Sequence, residues 1–288
     1  MTYIDHASER KVKQRRANVA RNKLYLMENS EENLRLERKT QITPLKKQAL
    51  WCGVKPGMRV LDAGCGPGKT TALLHKLLQP SGSILGVDYS ESRIAYAKGH
   101  YGITSGIDFR LHDLRDPMKE VGLFDLIWVR FVLEYNREES FEIVKNLSKN
   151  LHPRGLMCLI DLDYNCLTHF GLSEEMDTMI ARLTDALTRK HNFDPYVGRK
   201  LYSYLYDLRY EKVDVDVRAH HLFYGKIGEN DLFNWIKKAE MATQIEKKIF
   251  GDYPGGDKQF LIDFEHFFTN PKRFTYTPVI ICKGLKPF

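Results

Sequence analysis

From Met58 onward the chain alternates short apolar runs with amphipathic stretches. MRVLDAG (58–64), SILGVD (83–88), IDFRLHD (107–113), FDLIWVR (124–130) and GLMCLID (155–161) predict five strands, and 70–79, 91–101, 114–122 and 137–151 predict the helices between them. Strand and helix in strict alternation imply a parallel sheet covered on both faces, with strands apolar nearly throughout. After Asp161 the rhythm breaks. Met176, Met179, Ile180, Leu183 and Leu187 form one stripe of an amphipathic helix over 173–191. A second helix is expected over 197–207, and 210–219 (YEKVDVDVRA) alternates like a half-exposed strand. Helices over about 229–247 and 257–268 then precede a last strand at 275–283. Residues 1–54 also read as helical. Ser30 is a candidate cap, with Glu31 and Glu32 at the positive end of the helix dipole. Thr43-Pro44 has the form of a helix start and Gly53 of its stop.

Composition narrows the class. The 288 residues suffice for a full core, and 43% apolar with 28% charged is an ordinary globular balance. No apolar run approaches the roughly 18 residues of a membrane span. The N-terminus is polar from its first turn, unlike a secretory signal. Five scattered cysteines form no CxxC pair and no disulfide framework, so a cytoplasmic location is expected. The net charge of +7 is concentrated in residues 1–50, where 12 Lys/Arg face 6 Asp/Glu. A basic arm can grip nucleic acid or anionic lipid. Acidic residues interrupt this one and only Tyr25 lies close enough for base stacking, so a solvated helix face is the expected reading and nucleic acid is not an expected partner.

The strongest chemical signal is VLDAGCGPG, Val60 to Gly68, between a strand and a helix. Glycines at 64, 66 and 68 clear Cβ atoms from the turn, so a ligand can lie against the backbone and the helix N-terminus can face an anionic group. In a doubly wound sheet this is the first strand, beside the switch point where ligands bind. Dinucleotide, triphosphate and adenosyl ligands all use such loops. For a dinucleotide the third glycine comes one residue early, with Lys69 in its expected place. Ala63–Thr70 also reads as A-x-x-x-x-G-K-T, a loose phosphate loop, with MCLID (157–161) as its acidic strand. Against that, Ala63 replaces the first glycine, and the charge on Asp62 repels a triphosphate while suiting a cationic amino acid.

The pattern D-x-G-x-G-x-G, Asp62 to Gly68, resembles the first motif of class I S-adenosylmethionine-dependent methyltransferases. GVDYS places Asp88 22 residues after Gly66. FRLHDLRD, FDLIWVRFVLEY and LSKNLHPRGLMCLID resemble the family's third to fifth strand regions. The fold this implies is α/β: a Rossmann-like doubly wound seven-stranded sheet with its last strand antiparallel. Residues 1–54 form a helical lid, and 55–288 a methyltransferase domain with helical cap insertions at about 163–195 and 223–272. The implied cofactor is S-adenosyl-L-methionine, with S-adenosyl-L-homocysteine as product. Its implied contacts are Asp62, Gly64, Cys65, Gly66 and Gly68 in the first loop, and Asp88 and Tyr89 at the ribose. His112, Asp113 and Leu114 border the adenine, whose amino group Asp113 receives. The backbone of Arg130 and Phe131 lies near the methionine end; alternatively Arg130 pairs with Glu134 four residues on.

Methyl transfer needs alignment of the acceptor and exclusion of water, and a base only where the acceptor must lose a proton. His169, His220, His221, Asp161 and Asp163 are candidate bases, none singled out by spacing. Asp161, Asp163 and Asn165 invite a metal, but cation-dependent relatives carry Asp straight after the fourth strand where this chain has Arg130, so none is expected. The resemblance extends to the small-molecule branch that includes ubiquinone and menaquinone biosynthesis enzymes, which puts the acceptor region between the fifth and sixth strands. Residues 160–288 hold 21 of the 33 aromatics. Among them Tyr164, Phe170, Phe193, Tyr196, Phe223, Tyr224, Phe233 and Trp235 suggest an apolar or aromatic acceptor, unless they are simply the core of the cap. An RNA or protein methyltransferase, a non-catalytic cofactor-binding scaffold and a phosphate-loop NTPase are the alternatives. The oligomeric state, monomer or homodimer, is open.

Overall fold

Eight strands make one mixed sheet in this computed structural model, which describes residues 42–165 and 167–288 together with Asn33, Leu36, Glu37 and Thr40. The candidate cap Ser30 and most of the basic residues of 1–50 lie outside the described residues. The strands are β1 Arg59–Ala63, β2 Ser83–Asp88, β3 Ile107–Leu111, β4 Phe124–Arg130 and β5 Leu151–Leu162. They are followed by β6 His169–Phe170, β7 Glu211–Tyr224 and β8 Phe274–Leu285. Their order is β3-β2-β1-β4-β5-β8, with β7 on the far edge of β8. The two-residue β6 continues the line of β5 beside β8, so the sheet is seven positions wide. Pairings among β1 to β5 are parallel, and β8 alone runs against its neighbours.

The strands form where both faces find cover. Along β4, Ile127 and Val129 join a core with Ile143, Val144 and Leu147 of α4 (Ser140–Ser148). Leu126 and Trp128 point the other way, onto Leu45 and Ala49 of α1 (Ile42–Cys52) and Leu74 and Leu78 of α2 (Lys69–Leu78). This two-sided burial explains the near-continuous apolar runs. β3 and β7 are the edge strands: only Phe109 is buried in β3, and no residue is buried in β7. Helix α1 ends as its sequence requires: Gly53 has φ +92, its N–H donates to the Leu50 carbonyl, and the Val54 N–H donates to Ala49. Those two bonds close a Schellman motif. Pro44 stands third in the helix as described, still in the first turn, where its missing N–H costs nothing.

One expected helix is absent. Residues 114–122 form a turn and an irregular connection rather than a helix. The Asp113 carboxylate accepts from the backbone N–H of Arg115, the Asp116 N–H donates to the Asp113 carbonyl, and Pro117 follows. Such a side-chain-braced turn competes directly with helix formation.

Beyond β5 the expected helices appear as α5 Glu174–Lys190, α6 Leu201–Asp207, α7 Glu229–Ile245 and α8 Gly256–Thr269; α3 (Glu91–Tyr101) precedes β3. The stripe Met176, Met179, Ile180 and Leu183 of α5 packs with Trp235 and Ala239 of α7 and Phe260, Phe264 and Phe268 of α8. Segments from either side of β7 thus share one core, raised over the sheet. Among the described residues no helix is long and apolar enough to cross a membrane.

Candidate active site

The ends of β1, β2, β3 and β4 open into one cleft. The β1 loop supplies its floor through Gly64, Cys65 and Gly66, with Lys69 and Thr70 from α2. Asp88 and Tyr89 follow from β2, and His112, Asp113 and Leu114 from β3. Arg130 and Phe131 close the β4 side. Ten of the twelve residues expected to meet the cofactor therefore border one space. The other two, Asp62 and Gly68, are not in its lining.

Their positions have physical reasons. Asp62 lies beneath the loop, 2% exposed, and accepts the Thr71 hydroxyl at 2.6 Å. Burial pushes its pKa up to about 7, against the Thr71 bond and the nearby Arg130 charge. At Gly68, with φ +92, a Cβ would stand 2.9 Å from both Ala97 Cβ and Phe109 Cζ, so this glycine lets α2 pack onto α3 and β3. Gly64 serves packing too, since a Cβ there would meet Val132 Cγ2 at 2.3 Å. Gly66 alone of the three faces the opening, where the nearest atom to a Cβ is Leu36 Cδ1 at 3.7 Å. The loop is bare on its ligand side at one glycine, not three.

Asp88 is buried at the tip of β2. Its Oδ2 accepts from the Gly66 N–H and its Oδ1 from the Ser90 N–H, both at 3.0 Å, and Arg93 lies 3.6 Å away. The carboxylate thereby ties the glycine loop to the start of α3. Asp113 is gripped by the Arg115 guanidinium, with bonds of 2.6 to 3.1 Å. His112 Nε2 sits 3.0 Å from the Asp116 carbonyl.

Arg130 does not pair with Glu134. Its Nε donates to Gln48 Oε1 at 3.2 Å and its guanidinium lies 4.0 Å from the centre of the Phe131 ring. Desolvation lowers its pKa to about 10, opposed by the charges of Asp62 and Asp161. Phe131, at φ +58, turns the chain out of β4. The turn after it, Leu133–Tyr135, is held by Asp161, whose Oδ2 accepts from the N–H groups of Leu133 and Glu134. Burial, with Glu134 nearby, raises the Asp161 carboxyl well above its usual range. Glu134 instead receives the Asn165 amide at 2.7 Å, and Asp163 is bridged by Arg199. Each of the three residues considered as metal ligands is therefore tied to protein groups.

Sequence reasoning offered the N-terminal segment as a lid and 124–135 as a strand with a site wall, but did not single out Leu36, Thr40, Tyr135, Asn136 or Asn192. Leu36 and Thr40 cover the glycine loop, while Tyr135, Asn136 and Asn192 border the cleft opposite β2. Glu37 is tied beside the glycine loop: it accepts the Tyr101 hydroxyl at 2.9 Å, its carboxylate lies 3.8 Å from Lys69, and its carbonyl accepts from the same amine. Lys69, which gave the loop its likeness to a phosphate loop, thus binds the segment above it.

A second, apolar cavity adjoins. Ile180, Leu183 and Leu187 of α5, Trp235 and Ala239 of α7, and Phe260 and Phe264 of α8 enclose it. Tyr135 belongs to both walls, and its ring lies 5.8 Å from Phe193 in the second cavity. Of the eight aromatics expected to shape an acceptor pocket, only Phe193 and Trp235 line it; Phe170 and Tyr224 are 73% and 67% exposed instead. Among the candidate bases only His169 reaches this cavity, with Nδ1 2.9 Å from the Thr275 hydroxyl.

Sheet order, glycine loop and acidic strand tips define a class I methyltransferase fold. Residues 54–213 match the methyltransferase-domain family, and the chain belongs to it, a family that uses S-adenosylmethionine. The demethylmenaquinone methyltransferase of Staphylococcus aureus is 26% identical over 118 residues, 41% of this chain and 48% of that protein. An uncharacterised 37.1 kDa protein of transposon TN4556 from Streptomyces fradiae is 26% identical over 148 residues, 51% of this chain and 41% of that one. The chain thus spans less than half the length of these relatives. Among solved structures, a phosphoethanolamine N-methyltransferase of Haemonchus contortus aligns with TM-score 0.54 at 13% identity, over 85% of this chain and 52% of that one. The [4+2]-cyclase SpnF aligns with TM-score 0.52 at 16% identity, over 85% and 81%. Both likenesses are of fold.

The cleft fits the cofactor by two features of its own. Gly66 leaves room where a side chain would stand, with Leu36 Cδ1 at 3.7 Å from a Cβ there, and a buried carboxylate, Asp88, lies beside it. The residues able to hold the adenosyl group are Gly66, Asp88, Tyr89 and the His112–Leu114 strand tip.

Proposed function

We propose that the protein transfers a methyl group from S-adenosyl-L-methionine to a small, apolar or aromatic molecule seated in the cavity under the cap. The observation that carries this reading is the shared wall. Tyr135 borders both the cofactor cleft and a cavity lined mainly by aliphatic and aromatic side chains. When bound, the cofactor supplies a methyl group on a sulfonium, ready for in-line displacement. The chain's own part is to bind, align and dry the site. Asp88 accepts hydrogen bonds from the ribose hydroxyls, and the open face of Gly66 lets the adenosyl group approach the backbone. The cap core around Trp235 and Phe264 excludes water and holds the acceptor near the Tyr135 edge. Alignment of this kind supplies several kcal/mol, up to roughly 7–11 in favourable cases.

Filling the cavity tests the reading. Ala239 lines it and is 6% exposed, so Ala239→Phe occupies acceptor space without touching the cleft. Transfer of labelled methyl groups to a panel of phenols, quinols and aromatic amines should identify an acceptor. Turnover of that acceptor should then fall at least roughly tenfold in the variant, about 1.4 kcal/mol, with S-adenosylhomocysteine affinity unchanged. Undiminished turnover in the filled variant would place the acceptor elsewhere.

A further inference from the structure

A third cavity, lined from α1, the tip of β4, β7 and β8, differs in character from both others. Its wall carries Lys47, Arg130, Arg218 and His220, and none of its described lining residues is a carboxylate. Arg218 is anchored from outside by Asp216, whose Oδ2 accepts from Nε at 2.5 Å. Lys47 and Arg130 form no ion pair among the described residues; the bonded partner of Arg130 is the neutral Gln48 amide. Arg130 carries its charge in a desolvated setting. Like charges gathered round one space repel each other, and an anion placed between them removes that repulsion. Guanidinium and ammonium groups together suit oxyanions, the first by a planar fork and the second as a point charge.

We propose that this cavity is a binding site for a small oxyanion, a phosphate or carboxylate group, separate from the cofactor cleft. It shares one residue, Arg130, with the cleft and none with the apolar cavity, so a group bound here is not part of an acceptor docked under the cap. The site does not depend on which acceptor is methylated.

Inorganic phosphate and malonate are the probes, each titrated into the full-length protein by calorimetry and thermal unfolding against sodium chloride of equal ionic strength. Matched ionic strength removes general screening from the comparison. Both series are run with saturating S-adenosylhomocysteine, which fills the cleft. Lys47→Gln is the test variant. Lys46→Gln, at an exposed neighbour outside the cavity, removes the same charge as a control. Both positions are exposed, so both variants should fold as the parent does. The expected result is saturable binding of at least one probe, weakened roughly fivefold by Lys47→Gln, unaffected by Lys46→Gln and restored by Lys47→Arg, a change the size of one half-exposed charge contact. The proposal is overturned if both probes act only as chloride does, if Lys47→Gln and Lys46→Gln behave alike, or if S-adenosylhomocysteine abolishes the binding.

Discussion

Single residues in the glycine loop separate packing from ligand contact. Gly64 and Gly66 both hold left-handed backbone, at φ +81 and +56, but a Cβ would clash only at Gly64, 2.3 Å from Val132 Cγ2, whereas at Gly66 it would stand 3.7 Å from Leu36 Cδ1. Gly64→Ala should therefore cost roughly 2–4 kcal/mol, from strained backbone and overpacking together. Gly66→Ala should cost only about 1–2 kcal/mol of stability while weakening S-adenosylhomocysteine binding. Urea unfolding and calorimetry on the two variants measure both quantities. Equal losses of stability would contradict the division of roles. Asp62 makes a pH statement. With its pKa raised from 3.8 to about 7 in the folded state, it imposes no penalty below pH 3.8, where it is protonated folded and unfolded alike. Between those values the unfolded chain ionises first and stability falls as pH rises. Above pH 7 the loss is complete, at most roughly 4 kcal/mol. Asn keeps an acceptor for Thr71 and has no charge to bury. The stability of Asp62→Asn relative to the parent should thus climb from pH 4.5 to pH 8 in urea titrations; a flat difference would show that Asp62 ionises normally.

Elements far apart in the chain meet at the cleft. Glu37 joins the N-terminal segment to Lys69 and Tyr101, and Leu36 and Thr40 beside it border the cofactor space. Glu37→Ala should weaken S-adenosylhomocysteine binding several-fold, as expected from one lost charge-assisted hydrogen bond of about 1.5–3 kcal/mol reduced by its partial exposure, with little change in the unfolding midpoint. A midpoint shift as large as the binding loss would mean that Glu37 serves the fold rather than the cleft. The same remoteness explains what was legible beforehand. Strand tips carrying Asp88, His112–Leu114 and Arg130–Phe131 could be read because each sits at the end of a local pattern, and the topology of alternating strands and helices brings such ends together. Leu36 and Asn192 could not, since their arrival depends on contacts between distant segments that leave no periodic trace. The expected helix at 114–122 yielded to the Asp113–Arg115 turn and Pro117. The aromatic content of the C-terminal half did not tell which rings face the second cavity: Phe260 and Phe264 do, whereas Phe170 points to solvent.

For the molecule as a whole, fold and function are different claims. A similar architecture also serves a [4+2]-cyclase, so the sheet order by itself says little about chemistry. The proposed function depends on the pairing of the strand-tip cleft with an apolar chamber through Tyr135. Cleft and chamber are built from separate parts, the first from the strand tips and the second from α5, α7 and α8. Changes in the cap should therefore alter acceptor choice without altering cofactor affinity. The cleft is the part on which everything else depends. Calorimetric titration of S-adenosylhomocysteine into the folded parent and into Asp88→Asn, with ATP and Mg²⁺ as the competing ligand class, tests it most directly. One site per chain is expected in the parent, weakened roughly tenfold or more by loss of the Asp88 charge, with no comparable binding of ATP. Absence of binding to the folded parent, or tight binding of the triphosphate in its place, would contradict the account.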